Sequence, residues 1–386
     1  MDLSYRLRLG ITGAMSFFIN NHILSIALPL YIYSIGGSAI QVGWMAGIMS
    51  LFSTVTRPSI GVLLDKRGRR KPILSATVIL ALTSLAYLWT KNILSIITIR
   101  ALQGVCFAVV SSGYLTVIGD LSLEGDRSKL FGYAGLAMPI SLLLSPIATE
   151  YLIGSKMGYP SLFVTAAIVA MAGVVAFNIV TRQNAHSTPK EETVLGTRDL
   201  SGRALVRGLK DNIIGAMYLG AVDMAVLSFI PIYVTQMGLS YSLFLSTFAL
   251  GMIPFQFSVG RIIQRLGTNR VNLLGQVALG SSLILASLSP NTLGLVISAL
   301  LFAIGFGCVD TSLNLLALLG KSPENSGRAI GYMQFFINAG RALGSFLLGY
   351  LAEMLGYQLM FSIVGLAALL PIAAKLMELL KSRKGV

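Results

Sequence analysis

Seven polar or ionisable side chains stand where the sequence is otherwise apolar: Asn21, His22, Arg100, Asp223, Asp310, Asn314 and Arg341. Each lies inside a run long enough to cross a bilayer. An ionisable group at that depth costs about 2.5 to 3.5 kcal/mol on insertion scales, so each needs a partner or a watered cavity. Intramembrane groups of this kind mark routes for protons, ions or substrates. Asp223 can hold a proton or contact a cation, with Asn21 and His22 opposite it, Asp310 can line the second half of the cavity, and the His22 imidazole, ordinarily titrating at about 6.5, can change charge under working conditions. Arg100 and Arg341 can act as counter-charges, and Arg100 can also attract an anion. Asp310 and Asn314, four residues apart, share one helix face. The competing reading makes Asp223 or Asp310 the buried partner of Arg341 and His22 a hydrogen-bonded packing residue. Tyr31, Tyr233, Trp44, Phe255 and Phe257 can line an apolar site or simply fill space between helices.

These groups are held by a chain that is 55% apolar and only 11% charged over 386 residues, whereas about a quarter of a soluble domain is charged. It therefore reads as a polytopic membrane protein. The formal charge of +14 does not indicate a nucleic-acid partner. Of 29 Lys and Arg, Lys91 and Lys156 fall in turns assigned to the outside, Arg57, Arg100 and Arg341 lie within helices, and the other 24 fall on or beside one face. That asymmetry follows the positive-inside rule and puts both termini in the cytoplasm. Cys106 and Cys308 lie in apolar runs, and with only His22 and His186 beside them neither a disulfide framework nor a metal site is indicated. No phosphate-binding loop appears, which argues against ATP as the driving force. The first apolar run lacks a cleavage pattern and reads as a retained helix.

Twelve segments approach the length of about 20 residues that a spanning helix needs. They are placed near 9–33, 39–64, 72–90, 93–119, 126–153, 160–180, 212–236, 241–263, 271–288, 293–319, 327–351 and 357–380. Residues 182–211, rich in charge and broken by Pro189, form a cytoplasmic linker between bundles at 1–181 and 212–386. Within the linker, Leu200 to Lys210 is either a basic amphipathic helix on the membrane surface or solvated chain.

The second half repeats the first. Gly13, Ala14, Met15, Pro29, Tyr31, Gly36 and Ser38 recur 202 residues later as Gly215, Ala216, Met217, Pro231, Tyr233, Gly238 and Ser240. Ser59, Gly61, Gly68 and Lys71 recur 199 later as Ser258, Gly260, Gly267 and Arg270, while Asp65 becomes Gln264. Gly132-Tyr133 and Gly158-Tyr159 recur as Gly331-Tyr332 and Gly356-Tyr357. A parallel repeat implies two six-helix halves about an axis along the membrane normal, with a central path. Asn21 and Asp223 are equivalent in the repeat, which is expected to place them on facing sides of that path.

The stretch Gly61 to Pro72 is a tight basic turn between two spans. With Gly61, Asp65, Gly68, Arg69 and Arg70 in place it resembles the loop between helices 2 and 3 of the major facilitator superfamily. Arg100 followed by Gln103-Gly104 resembles the helix 4 signature linked to coupling in proton-driven members. In the fifth segment, Ser141 and Ser145 stand where related antiporters have glycines, a departure that weakens the case for drug/proton antiport. The resemblance covers nearly the whole chain and is nearest to the multidrug and metabolite exporter branches. It implies an all-α fold of twelve transmembrane helices in two pseudo-twofold-related bundles, with helices 1, 4, 7 and 10 lining the cavity. It further implies a conformational latch in which Asp65, Arg69, Arg70 and Asp120 engage, with Gly61 and Gly68 shaping the turn. The function so implied is secondary active transport in a cell membrane, driven by a proton gradient and exporting a small amphipathic or cationic compound. Symport or facilitated diffusion of a sugar, organic acid or lipid-like substrate is the second reading, and a membrane sensor the third. The expected partners are a small-molecule substrate and the bilayer, the expected state is a monomer, and no enzymatic activity, cofactor or nucleic acid is expected.

Overall fold

The computed structural model describes residues 3–121, 135–183, 202–289, 291–318 and 323–368, and every regular element among them is helical. The chain divides into two compact units, Met1–Leu200 and Ser201–Val386. The first contains α1 (Leu3–Ser34), α2 (Ala39–Arg67), α3 (Arg70–Ala86), α4 (Ile93–Leu121), α5 (Ala137–Ile153) and α6 (Tyr159–Gln183). The second contains α7 (Gly202–Met224), a π-helical turn (Ala225–Phe229), α8 (Ile230–Gln236), α9 (Tyr241–Leu266), α10 (Thr268–Leu288), α11 (Thr292–Leu318) and α12 (Pro323–Ala367).

Nine stretches among the described residues are long and apolar enough to cross a membrane. The other expected spans map onto shorter or merged helices. The third is α3 and the fifth is α5, each of 17 residues. The last two share α12, which turns at Gly356 with φ 80°. The third span ends at Ala86, four residues short of expectation, because residues 87–90 wind into a tighter turn before the Asn92 side chain accepts from the Leu94 N–H at 2.9 Å and opens α4. Residues 202–211, expected in the linker, are helical and continuous with the seventh span. The start of the fifth segment at Asp126-Arg127, the Gly132-Tyr133 repeat and the chain beyond residue 368 lie outside the described residues.

The repeat is visible in the backbone. Glycines at positive φ among the described residues are Gly36, Gly68, Gly158, Gly238, Gly267 and Gly356, which are three repeat-related pairs. A side chain would be strained at each, so both halves make the same turns with the same residue. Beyond the first pair, Ser38 caps α2 in a capping box with Gln41, and Ser240 accepts from the Leu243 N–H to cap α9. The Tyr31 hydroxyl donates to the Thr90 carbonyl at 3.1 Å, and Tyr233 donates to that of Ser287 at 3.0 Å. Both tyrosines thus tie helix ends together.

Packing follows one scheme in each unit. In the first, α1 lies against α5 and α6, α2 against α4, and α3 against α4 and α6; in the second, α7 lies against α12, α9 against α11, and α10 against α11 and α12. Lipid tails are as apolar as the side chains, so helix association rests on close fit and interhelical hydrogen bonds. The fit is tightest where α7 meets α12. A Cβ on Gly340 would run into the Met217 backbone, and one on Gly220 into the Ile337 carbonyl and the Arg341 backbone nitrogen. Gly260, by contrast, faces open space. Gly340→Ala is therefore expected to destabilise the protein by about 1–3 kcal/mol through overpacking, while Gly260→Ala is neutral or slightly stabilising by helix propensity. Thermal unfolding of both variants in detergent checks the contrast.

Candidate functional site

Each unit encloses a polar network, and the two differ in charge. In the first, Arg100 on α4 is 2% exposed. Its Nη1 donates to Gln103 Oε1 at 3.0 Å and its Nη2 to Ser25 Oγ on α1 at 2.7 Å, while Nε is buried with no hydrogen-bond partner. Gln103 Oε1 also accepts from the buried Tyr87 hydroxyl at 3.1 Å, and Gln103 Nε2 donates to Thr83 Oγ1 at 3.0 Å. Gln103 is thus the hub that orients the guanidinium, one turn along the same helix. Gly104, next to it, is pressed against the Met49 backbone of α2 and seats α4 at that depth. No carboxylate pairs with Arg100 among the described residues, so the network holds one uncompensated positive charge.

His22 lies on α1, 3% exposed, with Nδ1 3.0 Å from Ser141 Oγ on α5. The single Ser141 hydroxyl proton is directed to the Met138 carbonyl at 2.7 Å. Nδ1 is therefore the donor to Ser141. The ring stacks on Phe18 at a centroid distance of 6.3 Å. Ser145, one turn further, reaches the Ile19 carbonyl at 3.4 Å. The two serines that depart from the family glycines thus place hydroxyls against α1. Asn20 donates to Ser84 Oγ at 3.0 Å and to the Ala166 carbonyl at 2.8 Å, which makes it a structural tie. Asn21, half-buried, takes no part in those bonds.

In the second unit, Arg341 on α12 donates from Nε to Asp223 Oδ2 on α7 at 2.8 Å and from Nη1 to Asn338 Oδ1 at 3.0 Å. Asp223 is 4% exposed. Asn338 Nδ2 donates to the Gln334 carbonyl at 2.8 Å, and Gln334 Nε2 donates to Asn314 Oδ1 at 3.2 Å. Asn314 Nδ2 in turn donates to the Asp310 carbonyl at 2.9 Å and faces Asp310 Oδ2 at 3.4 Å. A continuous polar line therefore joins Asp223, Arg341, Asn338, Gln334, Asn314 and Asp310. No cation pairs with Asp310 among the described residues. The line thus holds two carboxylates and one guanidinium, and the guanidinium bonds to Asp223.

The family profile of the Major Facilitator Superfamily matches residues 10–345 and 241–384. The chain belongs to the major facilitator superfamily. It is similar to an uncharacterised transporter of that type, MJ1560, from Methanocaldococcus jannaschii, with 22% identity over 86% of this chain and 88% of the relative. It is also similar to the multi-drug resistance efflux pump PmrA homolog of Lactococcus lactis, with 22% identity over 92% and 91%. Its fold matches the crystal structure of the nucleoside transporter NupG with a TM-score of 0.77 at 16% identity, covering 97% of this chain and 98% of that one. It is thus a multi-pass, all-α membrane transporter with the superfamily fold.

Within this transporter the sequence-derived residues fall into separate settings. Arg100 and His22 sit in different hydrogen-bond sets of the first unit, while Asp223, Arg341, Asn314 and Asp310 belong to one line in the second. In the latch stretch, Gly68 takes φ 71° between α2 and α3, and Arg70 donates to Asn178 Oδ1 on α6 at 2.8 Å. Gly61 and Asp65 lie in the last turns of α2, Arg69 precedes α3, and Asp120 closes α4. The side chains of Asp65 and Asp120 lie outside the described residues. Of the aromatic candidates, Phe255 packs with Val259, Ile263, Val271 and Cys308, whereas Trp44 and Phe257 face outward.

Sequence reasoning missed Ser25, Gln334 and Asn338. For the last two a signal existed: Gln334, Asn338, Arg341 and Ser345 recur at spacings of four, three and four, a polar stripe on one face of a spanning helix. Removing one partner of this part-buried pair leaves an unmatched guanidinium that solvent reaches in part, so Asp223→Ala is expected to cost about 1–3 kcal/mol. The joint replacement Asp223→Leu with Arg341→Met is expected to cost far less than the two single changes summed, as measured by a double-mutant cycle of denaturant unfolding.

Proposed function

We propose that this transporter is a proton-coupled exporter of small cationic or amphipathic compounds, working by alternating access in the cell membrane as a monomer with cytoplasmic termini. One observation carries the reading: the second unit's polar line holds two carboxylates against one guanidinium. A net negative charge at that depth requires a proton or a cation to neutralise it. A carboxylate that accepts either one, but not both together, links inward proton movement to outward cation movement. The name of the Lactococcus lactis relative, an efflux pump for multiple drugs, agrees with export.

A second reading, symport of an organic acid, draws on the first unit, where the Arg100 guanidinium has no carboxylate partner among the described residues. An anionic substrate would supply one. The latch of Asp65, Arg69, Arg70 and Asp120 is proposed to hold one of the two access states in either case.

Purified protein in liposomes separates these readings. Ethidium, a lipophilic cation, and a panel of dicarboxylates are supplied with and without an imposed pH gradient. Gradient-driven accumulation of ethidium, abolished by a protonophore, is the expected result. Transport indifferent to the gradient would overturn proton coupling, and accumulation of a dicarboxylate in place of the cation would establish the second reading.

A further inference from the structure

We propose that Asp310 is the group that takes up and releases the carried proton, that the Asn314 and Gln334 amides report its state to α12, and that Asp223 stays bonded to Arg341 throughout. The assignment rests on the proton-coupled reading above. Asp223 and Asp310 differ in what holds them. Arg341 donates to Asp223 at 2.8 Å, a charge-assisted bond that supplies this carboxylate with a counter-ion. Asp310 has no such partner among the described residues. Among the described residues its carboxylate meets Asn314 Nδ2 at 3.4 Å, a donor already bonded to the Asp310 carbonyl at 2.9 Å. An ionised carboxylate so weakly served inside an apolar span is the natural place for a proton to bind.

The charged groups that act on Asp310 are Arg341 from α12 and Asp223 from α7. The other helices packed on α11, which are α9 and α10, contribute none among the described residues. Arg341 and Asp223 neutralise one another, which leaves Asp310 to be matched from elsewhere.

The amides supply a means of transmitting the change. With Asp310 ionised, Asn314 must present Nδ2 to it, so Asn314 Oδ1 faces Gln334 Nε2, as found at 3.2 Å. When a proton joins a carboxylate oxygen, the new O–H requires an acceptor. Asn314 meets that demand by turning its amide through half a rotation to offer Oδ1, which exchanges the 2.9 Å bond from Nδ2 to the Asp310 carbonyl for the one from the new O–H. Its Nδ2 then confronts Gln334, whose amide must turn in response to present Oε1. Gln334 lies on α12 one turn before Asn338, which holds Arg341. Protonation on α11 is thereby read on α12 by the helix that carries the guanidinium. No bond other than O–H forms or breaks, and the proton comes from water on one side of the membrane and leaves to the other.

Difference infrared spectroscopy of the purified protein, stepped from acid to alkaline pH without substrate, tests the assignment. The wild type is expected to show a carboxylic-acid C=O band that vanishes as the pH rises. That band is expected to be lost in Asp310→Asn, retained in Asp223→Asn, shifted in frequency in Asp310→Glu, and shifted in its pH midpoint in Gln334→Leu. Should Asp310→Asn fail to fold, the frequency shift in Asp310→Glu makes the assignment. A band that survives Asp310→Asn, that disappears in Asp223→Asn, or that is absent from the wild type would overturn the proposal. Ethidium flux indifferent to a pH gradient, beside an intact Asp310 band, would overturn the proton-coupled reading alone. Gradient-driven flux with a band that Asp310→Asn leaves in place would overturn only this assignment.

Discussion

The bond between Arg341 and Asp223 depends on how closely α7 and α12 approach. Gly220 and Gly340 let the two backbones touch, with no room for a Cβ on either. At that separation the guanidinium reaches across at 2.8 Å. The same contact fixes the rotation of α12, so that Gln334 and Asn338 lie in line with Arg341 and extend the network to Asn314 on α11. A small-residue contact, which contributes dispersion and no charge, thus decides which carboxylate has a counter-ion and which lacks one.

Two units built to one plan carry opposite chemistry. Turn glycines, cap serines and the paired tyrosines recur, and helices pack in corresponding pairs. Yet the first unit holds a buried cation among neutral partners, while the second has a carboxylate in excess. The backbone diverges as well. Pro29 lies inside an uninterrupted α1, whereas Pro231 follows the π turn at Ala225–Phe229. Proline lacks an N–H and its ring crowds the carbonyl four residues back, and the wider turn accommodates that crowding. The turn begins two residues after Asp223, so the departure from the repeat falls beside the charged pair.

Much of this was legible in the sequence because its signals are local or additive. Apolar run length sets the spans, and the offsets of 202 and 199 set the repeat. The intramembrane ionisable residues could be picked out one by one, since each violates the apolar pattern around it. Neutral members of the networks were less visible. Ser25 and Tyr87 are ordinary residues for a spanning segment, and Gln334 and Asn338 stand out only when counted at helical spacing with Arg341.

What the sequence by itself determined was therefore the helical membrane architecture, its internal repeat and a short list of buried charges. The tertiary structure decided the partners. It gave Arg341 to Asp223 rather than to Asp310, made Gln103 the hub for Arg100, and set Ser141 against His22. Helical periodicity shows which residues share a face of one helix. Partnership across helices depends on their rotation and separation, and these are set by backbone contacts such as Gly340 on Met217, between positions more than a hundred residues apart.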